Sequence, residues 1–156
     1  MRRLLSKPFA AAIVTTSGLI GCASQPPKQF TRSATEFTPC SSAPHCVSSQ
    51  ADEDDSKYVA PFAYKQATAA AARQTLLDIL AASEGATVER AEERFIHATF
   101  RSTLGFVDDV TFIVQPEAEI IDVKSSSRLG YYDFGVNRKR VEQLRARFNA
   151  QLSAKA

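Results

Sequence analysis

Tryptophan is absent from this 156-residue chain, and histidine occurs only twice and cysteine three times. With no second cysteine pair and only His45 and His97 to draw on, a closed four-ligand zinc site is poorly supplied. Several catalytic signatures are also missing. There is no Gly-x-Ser-x-Gly elbow, His-Glu-x-x-His pair, phosphate loop or dinucleotide fingerprint. Neither sign of charge is in excess. Of the 19 basic side chains, Arg2, Arg3 and Lys7 fall in an acid-free leader, which leaves 16 against 17 acidic ones. That balance lacks the cationic surface on which general nucleic-acid binding depends. What is present is 44% hydrophobic and 23% charged residues in a length suited to one domain, an ordinary globular composition.

Residues 1–21 have the layout of an export signal. Arg2, Arg3 and Lys7 precede or flank Pro8 to Ile20, an apolar and small stretch too short to span a bilayer as a helix. It ends Leu19-Ile20-Gly21-Cys22, which resembles the lipobox of bacterial lipoproteins. The resemblance implies diacylglycerol on the Cys22 thiol, cleavage ahead of it and acylation of the new amine. Two or more such chains hold a protein stably on a membrane. Ala23, where Asp would retain a lipoprotein, implies delivery to the periplasmic face of an outer membrane. The alternative is an ordinary signal peptide with a chance cysteine. Residues 22–38 are polar, carry Pro26-Pro27 and read as a disordered tether. Phe30 and Phe37 within it either dock on the domain or stay idle.

Cys40 and Cys46 open the domain. In an exported chain two cysteines this close most simply form a small-loop disulfide. Free thiols and a metal site of Cys40, Cys46 and His45 are the alternatives. The acidic run Asp52 to Asp55 lacks the spaced oxygens and glycine turn of a calcium loop and reads as a solvated turn.

Three blocks then follow in order: CSSAPHCVSSQA, FRSTLGFVDDVTF and SSSRLGYYDFGVNRKRVEQLR. From Cys40 to Arg147 they resemble the DUF1499 family, with His45 where the family pattern suggests Asn. The resemblance implies a shared fold and often an exported or membrane-anchored context, without an established activity.

Periodicity gives the scaffold, a domain over 39–153. Lys57 to Phe62 reads as a short strand weakened by Pro61. Gln66 to Ser83 reads as a helix with Ala72, Leu76, Ile79 and Leu80 on one face. Four strands follow, Ala86–Arg90, Phe95–Arg101, Asp109–Gln115 and Glu119–Ser125, joined by short turns that favour an antiparallel meander. Asn137 is placed to N-cap a last helix whose inner face is Val141, Leu144, Phe148 and Leu152. The expected class is α+β: an antiparallel sheet of four to five strands with both helices on one face, in the order β-α-β-β-β-β-α.

Matching like with like across the first hairpin sets Arg101 opposite Asp109. A turn at Pro116–Ala118 then sets Asp109 opposite Ser125. In this register Arg101, Asp109 and Ser125 cluster at one end of the sheet, with Arg128 nearby and Asp108 on the other face. His97 falls about 13 Å from that cluster, too far to join Asp109 and a serine from Ser125–Ser127 in a catalytic triad.

Arg138, Lys139 and Arg140 occupy the first turn of the last helix, where the dipole disfavours cations. Either the acids Asp108, Asp109 and Asp133 offset them internally, or an external anion does so. The leading expectation is a non-enzymatic, membrane-anchored module. It binds a small anionic ligand or an envelope protein through Arg101, Asp108, Asp109, Ser125, Arg128, Tyr131, Asp133, Asn137 and Arg138. No cofactor or metal is called for. The alternative is a hydrolase-type enzyme with Asp109 or Asp108 as base beside Arg101 and Arg128.

Overall fold

The computed structural model describes residues 29–65 and 67–155. The expected export signal, the lipobox-like Leu19–Cys22 and the first residues of the expected tether lie outside them. The elements are β1 (Cys46–Ser48), β2 (Phe62–Ala63), α1 (Ala69–Ala81), β3 (Ala86–Ala91), β4 (Phe95–Arg101), β5 (Val107–Gln115), β6 (Ile120–Ser127) and α2 (Val136–Lys155). They form one antiparallel sheet in the order β1-β6-β5-β4-β3, with β2 also paired to β6. The expected α+β class and the alternation of its central elements hold. A strand absent from the sequence reading, β1, borders β6 and carries Cys46, which is 1% exposed.

Local chemistry sets the ends of the helices. The Thr68 hydroxyl accepts the Ala71 N–H and starts α1, three residues later than expected. In α2, Asn137 is not the cap: it lies inside the first turn, and Asp133 serves the helix start from outside. The Asp133 carboxylate accepts the N–H groups of Gly135 and Asn137, and its carbonyl accepts that of Val136. These are donors that a helix start leaves without intrahelical partners.

Both helices pack on one face of the sheet. Leu76, Ile79 and Leu80 of α1 and Val141, Leu144 and Phe148 of α2 join Ile96, Ala98, Val110, Phe112, Ile121 and Val123 in one buried cluster. Each fully buried Leu, Ile or Phe contributes roughly 2 kcal/mol. Phe62 makes ring contacts with both Phe112 and Phe148, tying the short β2 into that core.

The hairpin registers differ from expectation. Arg101 opposes Val107 and Thr99 opposes Asp109, a slip of two residues. An even slip keeps every side chain on its face, but it sets Phe100 opposite Asp108, a pairing that apolar matching disfavours. The turn decides: Ser102 N–H bonds the Phe106 carbonyl and closes a five-residue connection. Between β5 and β6 the slip is one residue. Asp109 opposes Ser126, and Ser125 opposes Val110. The cause is that Pro116–Ala118 is followed by Glu119 in the left-handed region (φ 55°), which lengthens the turn by one. An odd slip changes faces, so Ser125 sits on the helix side and Asp109 does not.

The opposite face is partly covered by the segment 29–38, expected as tether. Phe30 lies over His97 with ring centroids 4.3 Å apart. Phe37 is buried and donates its N–H to Gln50 Oε1. Lys124 Nζ donates to the Thr38 carbonyl. Among the described residues, no helix is long and apolar enough to cross a membrane.

Candidate functional site

Asp108 and Asp109 are neighbours on β5 and project to opposite faces, as strand geometry requires. Each is held by an arginine. On the face covered by the strap, residues 29–38, Arg128 grips Asp109 with two bonds, Nε to Oδ2 and a terminal nitrogen to Oδ1, both 2.8 Å. His97 Nε2 is also 2.8 Å from Oδ1. The expected separation of His97 from Asp109 is therefore corrected: the two-residue slip brings them diagonally together. Burial pushes the Asp109 carboxyl up. The hydrogen bonds and charge of Arg128 and His97 outweigh burial and hold it below the usual carboxylate range. An ionised carboxylate only accepts, so His97 Nε2 carries the proton.

On the helix side, Arg140 reaches Asp108 Oδ2 at 2.6 Å and lies over the Phe100 ring, 4.8 Å from its centroid. Asn137 is the hub of this side and is fully buried. Its Oδ1 accepts from the Ser125 hydroxyl and from Arg140. Its Nδ2 donates to the His45 carbonyl, to Ser127 Oγ and to Asp133 Oδ2. Burial raises the Asp133 carboxyl, but bonds from Asn137 and Gly135 bring it below the usual range. Cys40 and Cys46 form a disulfide, which removes the thiolates a metal site of Cys40, Cys46 and His45 would need. The described residues hold no cluster of three or more His, Cys, Asp or Glu able to bind a metal.

Beside this network a cleft of ≈ 830 Å³ opens between the β4–β5 turn and the β6–α2 connection. Phe100 and Leu144, nearly buried, belong to its lining. Its edges carry Leu104 (84% exposed), Phe106, Leu129, Tyr132, Phe134 (89%) and Val136. Those are six of the seven exposed large hydrophobic side chains among the described residues; the seventh, Tyr131, adjoins them in sequence. They therefore form one patch rather than scattered surface residues, and a patch marks an interaction site. Phe134 is also held at φ 54°, a conformation costly for a bulky side chain. Its ring meets Tyr132 edge-on at 5.6 Å. Arg101, Lys139, Arg140 and Arg147 supply positive charge to the cleft, and Glu84, Asp108 and Asp133 negative charge.

The expected site residues thus separate into three groups. Asp109 and Arg128 meet on one face with His97. Asp108, Ser125, Asp133 and Asn137 meet on the other, with Arg140. Arg101 does not oppose Asp109; it is exposed at the cleft edge, 3.4 Å from the Gly105 carbonyl. Tyr131 is exposed, and Arg138 turns away to the Ser56 carbonyl. The apolar cleft edge is what the sequence reading missed. Its signal is present in Leu104-Gly105-Phe106 and Tyr131-Tyr132-Asp133-Phe134-Gly135: large apolar residues in glycine-containing turns, where polar ones are the rule.

A family model described as "Protein of unknown function (DUF1499)" matches residues 36–148. No curated protein and no solved structure matches the chain.

Proposed function

From the premise that the chain belongs to the DUF1499 family, whose matched span contains the whole cleft, we propose that it is a non-enzymatic binding module of the cell envelope. The cleft between residues 102–106 and 128–136 is its recognition surface.

One contrast carries this reading. The three aspartates expected as catalytic bases or ligands are committed: Asp108 to Arg140, Asp109 to Arg128 and His97, and Asp133 to the start of α2; Glu84 in the cleft lining is exposed. The large apolar side chains around the cleft remain exposed to water. A hydrolase needs an acid or base that can change protonation during turnover. A binding module needs apolar surface in a concave setting, with a few polar groups to orient its ligand.

The test is a thermal-shift screen of the full chain against phosphates, sugar acids, lipid headgroups and fatty acids, with Phe106→Ser alongside. A ligand at 100 times its Kd stabilises by about 2.7 kcal/mol. A shift lost in Phe106→Ser supports the cleft. A shift that persists unchanged places binding elsewhere.

In the same proposal Cys22 carries lipid and holds the domain at the periplasmic face of an outer membrane. Its support is Leu19-Ile20-Gly21-Cys22 at the end of an apolar stretch. Labelled palmitate incorporated by the wild type and not by Cys22→Ser, with release of that variant into the soluble fraction, is the expected result. Equal labelling of both proteins would refute the anchor.

A further inference from the structure

We infer that the cleft accepts a single-chain amphiphile with an anionic head, a carboxylate or a phosphate on one aliphatic tail. This rests on the binding-module reading above and names its ligand class.

Three observations converge on that class. The first is shape. At ≈ 830 Å³ the cleft lies within the range of about 300–1,000 Å³ usual for small-molecule sites. Its interior and its edges are both apolar. Phe100 and Leu144 lie inside, and Leu104, Phe106, Tyr132 and Phe134 stand around them. A chain entering this hollow loses water on several sides at once, whereas a flat bilayer would meet only the edges.

The second is charge. Arg140 is neutralised by Asp108, and Asp133 is committed to the helix start. Arg101, Lys139 and Arg147 have no carboxylate partner among the described residues; Arg101 bonds a carbonyl and Arg147 the Ser83 hydroxyl. Against these three cations the lining retains Glu84 and the still ionised Asp133, so the balance is one positive charge. The surplus is positive and sits beside apolar surface, which complements an anionic head attached to a hydrocarbon tail.

The third is Phe134. Its left-handed backbone conformation is unfavourable for a phenylalanine, and its ring is 89% exposed. The Asp133 bonds across it hold that backbone, and among the aromatic rings of the described residues it meets only that of Tyr132, edge-on. The turn therefore presents the ring outward, where a ligand tail would bury it.

The experiment uses dansyl-undecanoate fluorescence with the full chain, and displacement by dodecanoate, dodecyl phosphate and dodecyltrimethylammonium, all below their micellar concentrations. Both anionic chains should displace the probe, and the cationic chain should not. Phe134→Ser and Lys139→Glu should each weaken binding about tenfold or more while unfolding at wild-type denaturant concentration, because both positions are exposed. Equal displacement by the cationic chain overturns the head-group assignment. Binding unaffected by Phe134→Ser overturns the cleft as the location. If no single chain binds, but the protein sediments with phosphatidylglycerol vesicles in a Phe134-dependent manner, the amphiphile is rejected in favour of membrane docking. The binding-module reading then survives. It falls with the inference only if vesicles and every compound in the thermal-shift screen also leave the protein unchanged.

Discussion

His97 and Asp109 are joined across β4 and β5 without being opposite each other: Nε2 lies 2.8 Å from Oδ1, on the diagonal between the Thr99–Asp109 and His97–Thr111 pairs. Arg128 completes the set from the end of β6. The Asp109 side chain is 4% exposed and that of Arg128 12%. Removing Asp109 takes from the mostly buried Arg128 its bidentate partner. Asp109→Asn should therefore destabilise the domain by about 3 kcal/mol or more, measured by urea unfolding. Adding Arg128→Met should recover part of that loss, because a buried pair replaced on both sides costs less than one broken on a single side.

The same group sets the acid limit of the fold. Asp109 and Asp133 both titrate below the ordinary value when folded; unfolded, each takes up its proton near pH 4. Between the two values the unfolded chain binds more protons than the folded one. The stability they contribute is complete above about pH 4 and drains as pH falls through the folded values. Urea midpoints followed downward from neutral pH should decline in that acid window, and Asp109→Asn should show a shallower decline than the wild type.

The Cys40–Cys46 disulfide closes a short loop whose second cysteine lies in β1. Closing a loop of this size is worth about 2 kcal/mol in chain entropy. Reduction should lower stability by that order. It should also loosen His45, whose carbonyl accepts from Ser127 N–H and Asn137 Nδ2. Hydrogen exchange at Ser127 with and without reductant would register it.

Phe134 offers a trade between stability and binding. Asn tolerates the left-handed region better than other non-glycine residues. Phe134→Asn should raise stability by about 1 kcal/mol while reducing capture of dansyl-undecanoate. A variant that loses stability would mean that the ring packs on the domain after all.

How much of this was legible depends on the kind of signal. The elements from α1 to α2 were, because the spacing of Leu76, Ile79 and Leu80 and the alternation Ile96, Ala98, Phe100 follow directly from burial on one face; the short edge strands β1 and β2 were not, since β1 was unforeseen and the strand expected over Lys57 to Phe62 is only Phe62–Ala63. Register was not. Like-with-like matching favoured the wrong register, because the observed one sets Phe100 opposite Asp108 rather than Val110. The one-residue slip at β6 arose from the conformation of a single residue, Glu119. Those two errors put Ser125 on the wrong face and kept His97 out of reach of Asp109. The cleft was missed for another reason. Polar chemistry does not single out Leu104 and Phe134, whose significance is that they stay exposed in the fold.

One consequence follows from where the strap meets the sheet. Gln29 and Phe30 lie by Glu92 to Phe95, at the start of β4. The cleft opens past Arg101 at the far end of that strand, roughly 20 Å away. The molecule therefore has a handle at one pole and jaws at the other. An attachment made at Gln29 itself would leave the jaws at the pole facing away from it. A cargo seated there would be offered to whatever stands across the gap.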